Sequence, residues 1–238
     1  MNKLIACVGL LALIGCRNEF DDPDYSAFQE VFDRIEEGDA EFVGGPDPFV
    51  PGDNRLAYAP FYDGTVGDDA SGFLSPGVGG GAYFIFENSY SQSFSSERIQ
   101  GASSAEIRLT GATGFWGGGV FFEGNPQDFR EFQTLSIALR SEDASFNDVD
   151  ITMADASGDA IVQASEYGYT NDGDWYQLFI PLQDFVDAGL DLRSVTNTLT
   201  LVNARNSAGD TLLVDNAYLD GDSVEVILAD IEAATSSN

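Results

Sequence analysis

Apolar and polar residues alternate with two different periods along this chain. Between Asp24 and Glu37 the apolar positions are Tyr25, Phe28, Val31, Phe32 and Ile35. That spacing is helical, and Gly38 is placed to end the helix. From Val43 to Asp53 come Gly44, Gly45, Pro46, Pro48, Pro51 and Gly52. Glycine and proline at that density predict a linker, stiffened by its prolines. From Arg55 onward the period shortens to two. In Ala105 to Thr110, Ile107 and Leu109 face one way and Glu106, Arg108 and Thr110 the other. Leu135 to Arg140 and Val149 to Met153 repeat the alternation, and Trp175 to Leu182, Asn197 to Val202 and Thr211 to Leu219 follow. Many short alternating segments separated by Gly, Asp, Asn and Ser turns predict an all-β fold, an antiparallel β-sandwich. Helices are expected only near the two ends. At the C-terminal end, Ser223 to Ala233 presents Val224, Ile227, Leu228 and Ile231 on one helical face, with Ser223 as N-cap.

The first sixteen residues, MNKLIACVGLLALIGC, carry a different signal. Lys3 precedes an apolar run from Leu4 to Ile14 that is too short for a membrane-spanning helix. Leu13-Ile14-Gly15-Cys16 resembles a bacterial lipobox, in which a peptidase cuts before a lipidated cysteine. The implied organisation is a leader over 1–15, an anchor at Cys16 with helix and linker over 16–54, a sandwich over 55–221, and a C-terminal helix and tail over 222–238. Cys7 falls in the leader, so the processed chain keeps one cysteine and forms no internal disulfide. Arg17-Asn18-Glu19-Phe20-Asp21-Asp22 resembles the acidic cluster that directs some lipoproteins to the outer face of the outer membrane.

Charge then narrows the chemistry. The chain holds 40 Asp plus Glu, 10 Lys plus Arg and no histidine, a formal net charge of −30. Nucleic acid is excluded as a partner, because a phosphate backbone needs cations. A Ser-His-Asp triad and a histidine zinc site are excluded by composition. Loss of Lys3 leaves nine cations, all arginine. That acidity is compatible with a high-salt habitat, and equally with an acidic surface of no ecological meaning.

The most specific segment is Trp175-Tyr-Gln-Leu-Phe-Ile-Pro-Leu-Gln-Asp-Phe185. It runs through Asp191-Leu-Arg-Ser-Val195 to Thr211-Leu-Leu-Val-Asp-Asn-Ala-Tyr-Leu219. With Phe115-Trp-Gly-Gly-Gly-Val-Phe-Phe122 and Phe132 to Arg140 upstream, it resembles the jelly-roll carbohydrate-binding modules of the galactose-binding-like superfold. The likeness spans about residues 55–221. It implies a jelly roll and a surface glycan-binding lipoprotein of a polysaccharide-utilisation system, working with an outer-membrane transporter or glycosidases. It also implies a structural calcium, with Asp215 as one ligand and Asp63 or Glu87 as partners. The alternative for Asp215 is a turn cap.

A sugar offers apolar C–H faces and polar rims, so its site needs aromatic platforms beside hydrogen-bonding groups. Trp116, flanked by glycines, is expected on an open strand face, or else in the core. Tyr167 and Tyr169 share a face if that stretch is extended. Arg108 and Arg140 lie on the polar sides of their strands and are expected side by side, as sugar donors or as ion pairs with carboxylates. Trp175 is assigned to the core. The negative charge argues for a neutral polysaccharide, and the resemblance makes a β-glucan the first choice. Two rivals remain: a glycosidase or lyase with unidentified carboxylates, and a structural or adhesive envelope protein. The tight E-x-D-x-x-E of jelly-roll glucanases occurs in no alternating strand here, and Gly77 to Ala82 matches a dinucleotide fingerprint without its strand–loop–helix setting.

Overall fold

The computed structural model describes residues 55–62, 70–74, 81–99, 101–122 and 124–236. The expected leader, Cys16, the helix over 24–37, the linker over 43–53 and Asp63 lie outside the described residues.

Two sheets face one another. The larger is built on β12 (Thr211–Asp220). One edge of β12 pairs with β7 (Thr134–Arg140), and β7 with the edge strand β10 (Tyr176–Pro181). The other edge is shared. β5 (Ser104–Leu109), backed by β4 (Tyr90–Ser95), takes Thr211 to Val214. β1 (Arg55–Tyr58), backed by β2 (Ala70–Leu74), takes Tyr218 to Asp220. The smaller sheet has the order β3 (Gly81–Ile85), β6 (Trp116–Phe122), β11 (Asn197–Asn203), β8 (Asp150–Asp155) and β9 (Gly158–Gln163). All pairings are antiparallel except β1 with β2.

The alternation explains the layers. Leu135, Ile137 and Leu139 of β7, Leu178 and Ile180 of β10, and Leu212 and Val214 of β12 all point into the sandwich and are buried. Each such side chain contributes about 1.5–3 kcal/mol on leaving water. The residues between them point outward. β12 bulges after Asp215: three residues, Asn216 to Tyr218, advance while β7 advances two, and Asn216 takes a positive φ of 50°. A bulge of this kind turns two successive side chains to one side.

Two elements differ from the sequence expectation. The segment after β10 is a helix, α1 (Leu182–Asp187), not a bare turn. It buries Leu182 and Phe185 and returns the chain through Gly189 at a φ of 111°. The C-terminal helix, α2 (Val224–Ser236), starts where expected, with the Ser223 carbonyl accepting from the N–H groups of Val226 and Ile227. Of its expected apolar face only Ile227 is buried, and Leu228 is 45% exposed.

Candidate functional site

Trp116 is a core residue, 0% exposed, with its ring edge-on to Tyr90 at 6.1 Å and to Phe146 at 5.2 Å. The reason lies in its glycine neighbour. A Cβ on Gly118 would stand 2.1 Å from the Tyr90 hydroxyl, so the glycine makes room inside the sandwich rather than opening a face outside it. Tyr169 is likewise buried, and its hydroxyl donates to the Phe146 carbonyl at 3.0 Å. Tyr167 does not share its face. It ends a 3-10 turn, Ala164–Tyr167, and Gly168 at a φ of 94° then redirects the chain. The Tyr167 hydroxyl donates to Asp184 at 2.7 Å. Burial, then the neighbouring Asp184 carboxylate, pushes its pKa above the usual tyrosine range. None of these three rings is a free platform.

Arg108 and Arg140 do lie on one face, the outer face of the larger sheet, but β12 runs between them. Thr211 stands opposite Arg108 and Leu213 opposite Arg140. Two strand spacings and a two-residue offset along β12 separate the arginine backbones by roughly 12 Å. Arg108 is exposed and donates to Glu106 at 3.0 Å. Arg140 donates through Nε to the Gly173 carbonyl at 2.5 Å and through Nη1 to Glu97.

Of the expected calcium set, Asp63 lies outside the described residues, and Asp215 and Glu87 do not come together. Asp215 points outward, yet its oxygens accept backbone donors: Oδ2 from Ile99 at 2.8 Å and Oδ1 from Asn216 at 2.7 Å. Glu87 lies in the turn before β4, whereas Asp215 lies level with the far end of that strand. Seven or so residues of strand put them about 23 Å apart. Among the described residues no three carboxylates or thiols converge as metal ligands.

What the sheet does form along β7 is a trough whose floor and β12 side are covered almost completely by the neighbouring side chains. The outward residues of that strand are small: Thr134, Ser136 and Ala138. Larger side chains flank them on both sides. On β10 these are Gln177, beside Ala138, and Phe179, beside Ser136, both half-buried. One step back along the same alternation is Trp175, half-buried and outside the core, at the level of Arg140. On β12 they are Asn216 and Tyr218. A polar relay crosses the floor. Asn216 Nδ2 donates to Gln177 Oε1 at 2.9 Å, and Gln177 Nε2 donates to Ser136 Oγ at 2.6 Å. Asn216 Oδ1 is buried and accepts no hydrogen bond among the described residues. Beyond Tyr218, Arg55 donates to Asp220 at 2.5 Å, its guanidinium lies 4.8 Å from the Tyr218 ring centre, and Tyr62 meets Tyr218 edge-on at 6.1 Å.

The charges on this face cancel. Its outward strand positions carry three arginines, Arg55, Arg108 and Arg140, and three carboxylates, Glu106, Asp215 and Asp220. Strand positions that balance in charge, on a chain of net charge −30, offer donors and acceptors with little field favouring an ion. Sequence reasoning missed Trp175, Gln177, Phe179, Asn216 and Tyr218. The signal was available in β10: once Leu178 and Ile180 are taken as core, Trp175, Gln177 and Phe179 must face out.

This chain is similar to several solved structures. A family 11 carbohydrate-binding module from Clostridium thermocellum, in complex with a β-1,3-1,4-mixed-linked tetrasaccharide, is 20% identical, with 62% of this chain and 92% of that one covered and a TM-score of 0.46. A family 30 module of the cellulosomal cellulase Cel9D-Cel44B of the same organism is 17% identical, covering 61% and 92%, with a TM-score of 0.47. A β-1,2-glucanase from Parabacteroides distasonis is 22% identical over 58% of this chain and 22% of that one, with a TM-score of 0.40. A comparison with curated proteins found no match. The profile of carbohydrate binding domain 30 matches residues 74–232, which holds β3 to β12, both arms of the trough and most of α2. By that match, over more than half of its length, the chain belongs to the carbohydrate binding domain 30 family.

Proposed function

We propose that this chain is a surface-anchored lipoprotein that captures a neutral polysaccharide, a β-glucan first, in the trough along β7. Cys16 would carry the lipid at the outer membrane, and the Gly/Pro-rich stretch over 43–53 would hold the sandwich away from it. The captured glycan would be passed to a transporter or to glycosidases. The observation that carries the neutral-ligand reading is the balance of charge on the outer face beside half-buried Trp175 and Phe179. Rings stack on sugar C–H faces, and the relay of Asn216, Gln177 and Ser136 offers hydroxyl partners rather than a counter-charge.

Affinity electrophoresis of the soluble chain from Arg17 onward tests this, with laminarin, mixed-linkage glucan, xylan and alginate in separate gels. Retardation by a neutral glucan, unchanged by added salt and without release of reducing sugar, is the expected result. Retardation by alginate alone would overturn the neutral-ligand reading. The anchor is tested separately. Cys16→Ser should leave the membrane fraction or persist as an uncleaved precursor, and a variant that fractionates and migrates like the wild type would overturn it.

A further inference from the structure

On one side of the sandwich the two sheets end in β3 and β4, which are joined by the turn Phe86–Asn88. The Tyr83 hydroxyl of β3 meets the Tyr90 hydroxyl of β4 at 2.6 Å, so the two strands lie next to one another. From Gly81 to Ser96 the single charged residue is Glu87, in that turn, on a chain that is 21% charged. Among the described residues β4 pairs with β5 alone, in one straight register. Sheet edges are ordinarily kept from pairing by charge, proline, a bulge or a covering element. Other edges of this molecule show such devices. β10 ends in Pro181 and packs against α2, and β9 carries Asp159 and packs against α1. β4 carries no charge, no proline and no bulge.

One side chain of β4 lacks what its burial demands. Gln92 stands opposite Ile107, a core residue, so it points to the inner side of the sheet. Its amide nitrogen and oxygen are both buried, and neither has a hydrogen-bond partner among the described residues. A buried amide left unpaired is costly, and a native one calls for a partner. The residue as a whole is only half-buried, because β4 is the last strand on its side of the sheet. Its neighbours Ser91 and Ser93 point outward, and both are exposed.

We propose that the free edge of β4 pairs with the same edge of a second copy of this chain, antiparallel about a two-fold axis at Gln92. The symmetry is what selects a second copy. An axis perpendicular to the sheet sets Gln92 directly opposite Gln92 of the second copy, with Cβ atoms about 5 Å apart on the inner side. Each amide, turned to the seam, donates to the other's oxygen, and both unpaired groups are satisfied at once. A strand from an unrelated protein would bring no such amide except by chance. On the outer side Ser91 stands opposite Ser93 of the second copy, so no carboxylate meets a carboxylate across the seam. Much of the remaining surface, on a chain with 40 carboxylates, would press acid against acid. A short strand edge is a small interface, so the dimer is weak and is favoured when salt screens the rest of the two surfaces. The two larger sheets then run on as one, with both outer faces on the same side, and a long glycan meets two copies together. That consequence, unlike the dimer, rests on the glycan reading.

Sedimentation equilibrium of the chain from Arg17 onward tests this, over a wide range of concentration at low and at high salt. The expected result is a monomer–dimer equilibrium that salt shifts toward the dimer. The discriminating variants lie at exposed positions, where they leave the core untouched. Ser91→Glu with Ser93→Glu sets Glu against Glu twice across the seam, and should weaken the dimer roughly two- to thirtyfold, as two like-charge cross-strand pairs do. Ser91→Glu with Ser93→Lys sets Glu against Lys twice and should tighten it. Gln92→Leu should raise the melting temperature of the dilute monomer, by removing the unpaired amide, and lower the dimer fraction. A chain that stays monomeric at every concentration and salt would overturn the proposal. So would a dimer that Gln92→Leu leaves unchanged, or one that the two charge variants shift in the same direction or not at all, since another surface would then join the copies. If one variant fails to fold, the wild-type sedimentation and the other variants still decide.

Discussion

Two residues, Asp155 and Trp116, carry predictions of opposite kinds. Asp155 is almost buried at the end of β8, and its carboxylate gathers donors from separate stretches of chain. Oδ1 accepts from the Ser157 N–H at 2.6 Å and from the Ser157 hydroxyl at 2.5 Å, and Oδ2 accepts from the Asp191 N–H at 2.6 Å. Burial alone would raise its pKa, but those hydrogen bonds outweigh burial and hold it below the usual carboxylate value. An acid with a lowered folded pKa adds stability above its unfolded pKa and loses it as pH falls through the folded one. The Asp155 contribution is therefore full at neutral pH and disappears below about pH 4. Asp155→Asn turns an amide donor toward the Asp191 or Ser157 N–H and should cost about 1–3 kcal/mol at pH 7. Denaturant melts at pH 7 and pH 3 check this, and the gap between variant and wild type should shrink at the lower pH. Trp116 shows how a residue is misread when its neighbours are read without their partners. Glycines on either side suggest an open face, and only the packing of the two sheets, with Tyr90 of β4 reaching across to β6, shows that Gly118 clears space for the buried Tyr90. Trp116→Ala should cost about 3–5 kcal/mol of stability as a core cavity, measured by the same melts.

At the scale of elements, the alternating strands were legible because burial on one face forces a period of two, and β5, β7, β8, β10, β11 and β12 all fall where that period is clear. The trough was not legible, because it depends on which strands lie side by side. The small row on β7 becomes a floor only when β10 and the bulged β12 flank it, and no local pattern announces that order. Nor does sequence spacing bring Glu97 and Gly173 to the same arginine. α1 was missed for a related reason. Six residues are too few for a helical period to stand out, and its two apolar anchors, Leu182 and Phe185, also fit a turn. The element that separates binding from stability is β10. Trp175 is half-buried at its start and outside the core, so Trp175→Ala should weaken glucan binding by about 1–3 kcal/mol, as loss of a stacking anchor does. Its melting temperature should stay near that of the wild type. Trp116→Phe is the matching control, with lowered stability and unchanged affinity at a temperature where it is folded. If Trp175→Ala binds as tightly as the wild type, the Trp175 end of the trough makes no contact with the ligand.

Across the whole molecule the charge of −30 sets a rule that the binding face escapes. Most of the described ion pairs are exposed, such as Arg130 with Asp128 and Arg193 with Asp191, and pairs of that kind add little. The excess carboxylates repel one another in the folded chain more than in the expanded one. Any cation that screens them should therefore raise the melting temperature, with most of the gain complete once the Debye length falls to about 10 Å at 0.1 M salt. Because Asp215 is spent on backbone N–H groups and Glu87 lies a strand's length away, calcium should do no more than magnesium at equal ionic strength. A larger rise with calcium that Asp215→Ala abolishes would show that the carboxylate is a ligand after all. Binding should follow a different rule from stability. On the outer face each arginine meets a carboxylate, Arg55 on Asp220, Arg108 on Glu106 and Arg140 on Glu97, so a neutral glucan approaching it meets little net field. Calorimetry from low to high salt, at a temperature where the chain is fully folded throughout, should find the glucan affinity flat while the melting temperature climbs. An affinity that falls steeply with salt would mean that the arginines of the face are read by an anionic ligand instead.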